Sequence, residues 1–106
     1  MGPIDPWGVR RDGIERWPDP QPLGTILERR RCCAEATVVA LRSSPRPPCF
    51  TATVAEDGAR VDLVFLGRTQ VPGIAVGARL RFAGTAGRSN GRLSVLNPRY
   101  CFLEET

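Results

Sequence analysis

From Cys32 onward the chain repeats one pattern, short runs of alternating apolar and polar residues, each closed by a break rich in glycine, proline or asparagine. A period of two sends successive side chains to opposite faces of an extended strand, so these runs commit the chain to half-buried β-sheet and not to helices. Residues 49–55 (CFTATVA) set Phe50, Ala52 and Val54 on one face and Thr51 and Thr53 on the other. Residues 60–66 (RVDLVFL) alternate again, with Val61, Leu63 and Phe65 inward and Arg60 and Asp62 outward. Leu80, Phe82 and Gly84 share one face of residues 79–86, opposite Arg79 and Arg81, and Leu93 and Val95 point inward from residues 92–96. Residues 34–42 (AEATVVALR) are rich in β-branched side chains and read as the first strand, with Val38 or Val39 in the core.

The breaks order these strands. Residues 43–48 (SSPRPP) form a proline-rich turn, Asp57-Gly58 is a hairpin signal, and residues 87–91 hold a second one in Asn90-Gly91. Residues 67–77 are a longer crossover punctuated by glycine and proline, with room for a short helical turn. Three strands in a meander, then a connector, then a hairpin is the order of an OB fold, a five-stranded Greek-key barrel. An SH3-like barrel is the competing all-β architecture. The connector after the third strand and the glycine inside the fourth favour the OB fold, because a strand glycine suits a sharp barrel bend.

Two regions follow, an N-terminal arm over residues 1–31 and the barrel domain over residues 32–106. The arm carries Trp7, Trp17 and five of the ten prolines, and its apolar residues follow neither strand nor helix period. Its stretch over residues 1–23 is expected to be irregular and to add no strand to the barrel, so that the domain folds without that stretch. One short helix is expected over residues 25–30, with Thr25 as N-cap and Glu28 three positions on. Either tryptophan could dock on the chain's own core or on a partner.

Composition narrows the chemistry. All 15 basic residues are arginine, with no lysine and no histidine, and the net charge is +4. The bias reads first as a GC-rich coding composition, yet guanidinium groups stay charged, grip phosphate in bidentate fashion and stack on bases. Without histidine there is no Ser-His-Asp or Cys-His nucleophile and no His-ligated metal, and without lysine no phosphate-binding loop ending in Lys. Cys32, Cys33, Cys49 and Cys101 include no C-x-x-C pair, so zinc is not expected and the cysteines read as small core filler. The chain is therefore expected to be no enzyme and to need no cofactor or small-molecule substrate. No apolar run reaches the length of a membrane span, and the opening Met1-Gly2-Pro3-Ile4-Asp5-Pro6 lacks a basic start leading into an apolar stretch. A cytoplasmic location is the expectation.

Residues 62–68 (DLVFLGR), Pro72-Gly73-Ile74, Gly77-Ala78-Arg79-Leu80, Gly84, Gly91-Arg92-Leu93 and the closing Asn97-Pro98-Arg99-Tyr100 make a recognisable set. This set resembles the OB-fold wedge domain of RecG-type helicases, and more closely the small stand-alone bacterial OB-fold nucleic-acid-binding proteins of that type. The resemblance covers residues 35–103 and leaves the helicase motor out. It implies binding of nucleic acid, DNA ahead of RNA and single-stranded or branched, through the barrel face and its rim loops. The residues that fall there are Arg42, Arg46, Arg60, Arg88, Asn90 and Arg92. The outward set of the second and third strands holds no aromatic, which makes a poor stacking platform. A protein-interaction module built from the barrel and the Trp- and Pro-rich arm is the alternative. Asn97-Pro98-Arg99-Tyr100 reads first as the closure of the last strand and only second as a binding element.

Overall fold

The computed structural model describes residues 17–103, and in it six strands form one sheet. They are β1 (Arg31–Pro45), β2 (Pro48–Glu56), β3 (Ala59–Leu66), β4 (Arg79–Ser89), β5 (Arg92–Leu96) and β6 (Arg99–Phe102). The hydrogen-bonded order is β1-β2-β3-β5-β4-β6, and β1 also pairs with β4, so β1 to β5 close into a barrel. Only β3 and β5 run parallel. This is the OB fold that the strand order predicts. The short β6 is an addition: Asn97-Pro98 ends β5 as expected, but the chain then turns and pairs with β4 through Phe82 and Tyr100.

Turn chemistry sets the register. Asp57 and Gly58 have φ of 50° and 84°, and Asn90 and Gly91 have 53° and 76°. Positive φ at both central residues defines the type I′ turn, whose twist matches that of the flanking strands. The Asn90-Gly91 turn is therefore only two residues long, and β4 runs on to Ser89, where a loop over 87–91 was expected. The 43–48 turn shrinks in the same way, because β1 and β2 pair out to Pro45 and Pro48 and leave Arg46-Pro47 as the tip. In β1, Val38 pairs with Val54 and Ala40 with Thr53, so Val39 is an extra, bulged residue. Val38, in phase with Ala34 and Ala36, is fully buried while Val39 is exposed.

The expected core forms around Val38, Val54, Val61, Leu63, Phe65, Leu80, Phe82 and Val95, with Leu93 partly buried against it. A side chain at Gly84 would bring its Cβ to 2.6 Å from Val95 Cγ1, so this glycine serves close packing across the barrel. At one end Phe50, Phe65, Tyr100 and Phe102 form a chain of ring contacts, with centroids 5.7 to 6.2 Å apart. Val71 and Ile74 of the connector are buried there, and Gly73 lies against the Phe102 ring. The connector does so through turns and without a helix.

Leu23 and Ile26 enter the same core, and Gly24 sits beside Ala59 at the β2–β3 hairpin. The helix expected over residues 25–30 does not form. A three-residue 3-10 turn, Leu23–Thr25, stands in its place, and the Thr25 hydroxyl donates back to the Pro22 carbonyl instead of capping a helix. Ile26 is extended, which lets both Leu23 and Ile26 reach the barrel interior; burying them outweighs a single helical turn, which is unstable alone. Backbone bonds from Gln21 to Cys33 and between Arg29, Arg30 and Ala86 hold this segment along β1 and β4. Trp17 then lies on the outer face over Cys33, Ala83 and Cys101, with the Arg99 guanidinium 4.7 Å above its ring. Trp7 lies outside the described residues. Among the described residues no helix is long and apolar enough to cross a membrane.

Candidate nucleic-acid interface

The outward sides of β1, β2, β3 and β5 line up in rows across the sheet. Ala40, Thr53, Asp62 and Ser94 form one row, and Arg42, Thr51, Val64 and Leu96 the next. Arg42 belongs to this face only because of the Val39 bulge. Strict alternation from Cys32 would have turned it to the inner side. Arg60 and Arg92 each stand two residues before the Asp62–Ser94 pair, so they flank the first row on neighbouring parallel strands.

These rows floor a cleft of about 310 Å³, bounded by Arg42, Ser43 and Ser44 on one side and Ser89, Asn90 and Arg92 on the other. Thr51, Asp62, Val64 and Cys49 complete it. Alternation identified Thr51, Thr53 and Asp62 as outward residues, and outward they are. They are nevertheless buried, because the cleft walls rise around them. A buried carboxylate needs partners. Among the described residues Asp62 has two, the Thr53 hydroxyl at 2.7 Å and the Arg92 guanidinium at 3.2 Å, both on Oδ1.

The six residues singled out from the sequence do not all meet. Arg42, Asn90 and Arg92 line the cleft, and Arg60 stands on the same face at its edge. Arg46 is exposed at the β1–β2 tip. Arg88 turns elsewhere: it follows Ala86 on the inward side of β4, where it emerges at the barrel mouth. There it bonds the Glu28 carboxylate at 3.0 Å and the Gly91 carbonyl at 3.0 Å. Among the described residues Arg42, Arg46 and Arg60 form no ion pair, whereas Arg81, Arg88 and Arg92 do. Ser43, Ser44, Cys49 and Ser89 were not singled out beforehand, since nothing local marks a small polar residue as a cleft wall.

The Asn-Pro-x-Tyr segment closes the end of β3 and packs against the core. Asn97, at φ 46°, accepts the Leu66 amide on its side-chain oxygen at 2.9 Å and donates its own amide to Val64. It thereby satisfies the end of β3, and Tyr100 packs edge-on between Phe65 and Phe102. Of the four free cysteines, Cys49 is half-buried at the cleft and the others are buried. Burial pushes the Cys32 and Cys33 thiols up; a backbone bond from Gly84 and the Arg81 charge, respectively, oppose this in part. Among the described residues no group of three or more acidic, Cys or His side chains is placed to hold a metal ion.

Among solved structures, the chain is similar to the OB domain (residues 67–166) of MM0293 from Methanosarcina mazei, determined by solution NMR. The TM-score is 0.62 at 13% identity, over 81% of this chain and 84% of that one. No family model matches the sequence, and no curated protein does. The likeness shows the OB fold.

Proposed function

We propose that this chain is a non-enzymatic nucleic-acid-binding module that takes DNA ahead of RNA, single-stranded or branched, in the cleft between the β1–β2 and β4–β5 turns. The observation that carries the reading is the position of Arg42, Arg60 and Arg92 on one face around that cleft. The strand-two and strand-three face with these two loops is where OB folds receive oligonucleotides. The resemblance to the RecG-type wedge and its small bacterial relatives supports the same reading. The Arg42 and Arg60 guanidinium groups would hold phosphates, and Asn90 would add a polar contact from the turn. Phe50 and Phe65 face the core, so among the described residues bases find no aromatic platform and affinity rests on phosphate contacts. Such binding should be weak, about micromolar at physiological salt.

Titration with single-stranded, duplex and forked DNA at two salt concentrations tests this. The forked or single-stranded form should bind best. Arg42→Ala and Arg60→Ala should each flatten the slope of log affinity against log salt by about 0.7 for a single strand. Absence of binding to every form at low salt overturns the reading. Protein docking would then lead, drawing on the exposed Leu66 and Leu96 next to the cleft.

A further inference from the structure

We infer that Asp62 reads bases in the cleft and selects those carrying an exocyclic amine, cytosine foremost, over uracil and thymine. The inference rests on the nucleic-acid reading above and names the ligand class of that site. Asp62 is 4% exposed, yet it lines the cleft. Thr53 and Arg92 both approach Oδ1, and among the described residues no hydrogen bond reaches Oδ2. The floor therefore presents one carboxylate oxygen with spare accepting capacity.

Paired with Arg92, the Asp62 carboxylate leaves the floor with little net charge to attract a phosphate. Arg42 and Arg60, which among the described residues hold no carboxylate of their own, draw the phosphates to the edges. The base is left to face Asp62, with Val64 and its β5 neighbour Leu96, 57% exposed, as an apolar ledge for the ring. An ionised carboxylate only accepts hydrogen bonds. The cytosine amine donates, and a carboxylate is its natural side-chain partner. Its ring N3 accepts, and the Arg92 guanidinium beside Asp62 supplies the matching donor. Uracil and thymine place a carbonyl oxygen where that amine would be, lone pair against lone pair. Their one ring N–H lies between two carbonyls, so turning it toward Oδ2 brings further acceptors against the carboxylate.

Oligodeoxycytidine and oligodeoxyuridine of equal length, which differ in this edge and not in size or methylation, decide the matter at neutral pH. The full chain should bind the cytidine oligomer roughly three- to tenfold more tightly, the scale of a single discriminating hydrogen bond. D62N should remove most of that preference, since an amide can donate as well as accept. A cytidine oligomer with dimethylated exocyclic amines should lose the advantage on the unaltered protein, so the test stands even if D62N does not fold. Equal affinities for the two oligomers, or an undiminished preference in a folded D62N chain, overturn the inference and leave the nucleic-acid reading in place. Binding of neither oligomer, nor of any other DNA or RNA at low salt, overturns that reading and the inference with it.

Discussion

Two outward faces of the same barrel have opposite fates. On the β1–β4–β6 side, Cys33, Ala83 and Cys101 are small and lie under Trp17, whose ring is in turn covered by Arg99. On the β2–β3–β5 side, Thr51, Thr53, Asp62 and Ser94 are polar, and no segment of the described chain lies over them. Both faces are buried by the measure of solvent contact, one because it is roofed and the other because it is sunk between turns. The difference lies in what each could accept. The roofed face is satisfied by apolar contact within the chain, whereas the sunken face keeps hydrogen-bonding capacity and charge in reserve.

Removing the roof is the largest perturbation. Trp17→Ala should cost about 3 kcal/mol in chemical denaturation, at the low end for a buried tryptophan because its cluster is small. It should also open Cys33 and Cys101 to alkylation while leaving any binding at the cleft intact. Loss of cleft binding in a folded Trp17→Ala chain would mean that the two faces are not independent.

A smaller effect is expected on the sunken face. Thr53→Val keeps the shape but takes the 2.7 Å hydrogen bond from Asp62, leaving Arg92 as the sole partner among the described residues of a buried carboxylate. The cost should be about 1–2 kcal/mol, read as a lowered denaturation midpoint with unchanged m-value. A neutral result would show that Asp62 is better hydrated than its burial implies.

The mildest contrast is chemical. Cys49 is the cysteine at the cleft and should alkylate first in the native state. Cys32 and Cys33, buried and with thiols pushed up by burial, stay protonated and shielded at neutral pH and should react slowly. Bound oligonucleotide should slow Cys49 alone. Equal protection of all four would point to global stabilisation instead of occupancy of the cleft.

Much of the barrel was legible in the residues themselves. Period-two alternation assigned Val54, Val61, Leu63, Phe65, Leu80, Phe82 and Val95 to the interior, and Asp57-Gly58 and Asn90-Gly91 dictated both type I′ hairpins. These are local properties: a strand's two faces and a turn's φ values depend on residues a few positions apart. The arm was misjudged over residues 25–30, where a capping pattern suggested a helix. Leu23 and Ile26 found a core to fill that only the closed barrel provides.

The site depended on distance in sequence. The Val39 bulge, which no local signal marks, turns Arg42 toward the cleft. Arg88 looked like its equal but meets Glu28, 60 residues away, because β4 brings it to the mouth that the N-terminal segment lines. Asp62 seemed an exposed acid on an outward face, yet parallel pairing of β3 with β5 places it beside Arg92 and beneath the cleft walls. Alternation by itself determined which side chains leave the core. Whether an outward side chain then meets solvent, a tryptophan or an opposite charge was decided by barrel closure, since that alone sets which distant residues become neighbours.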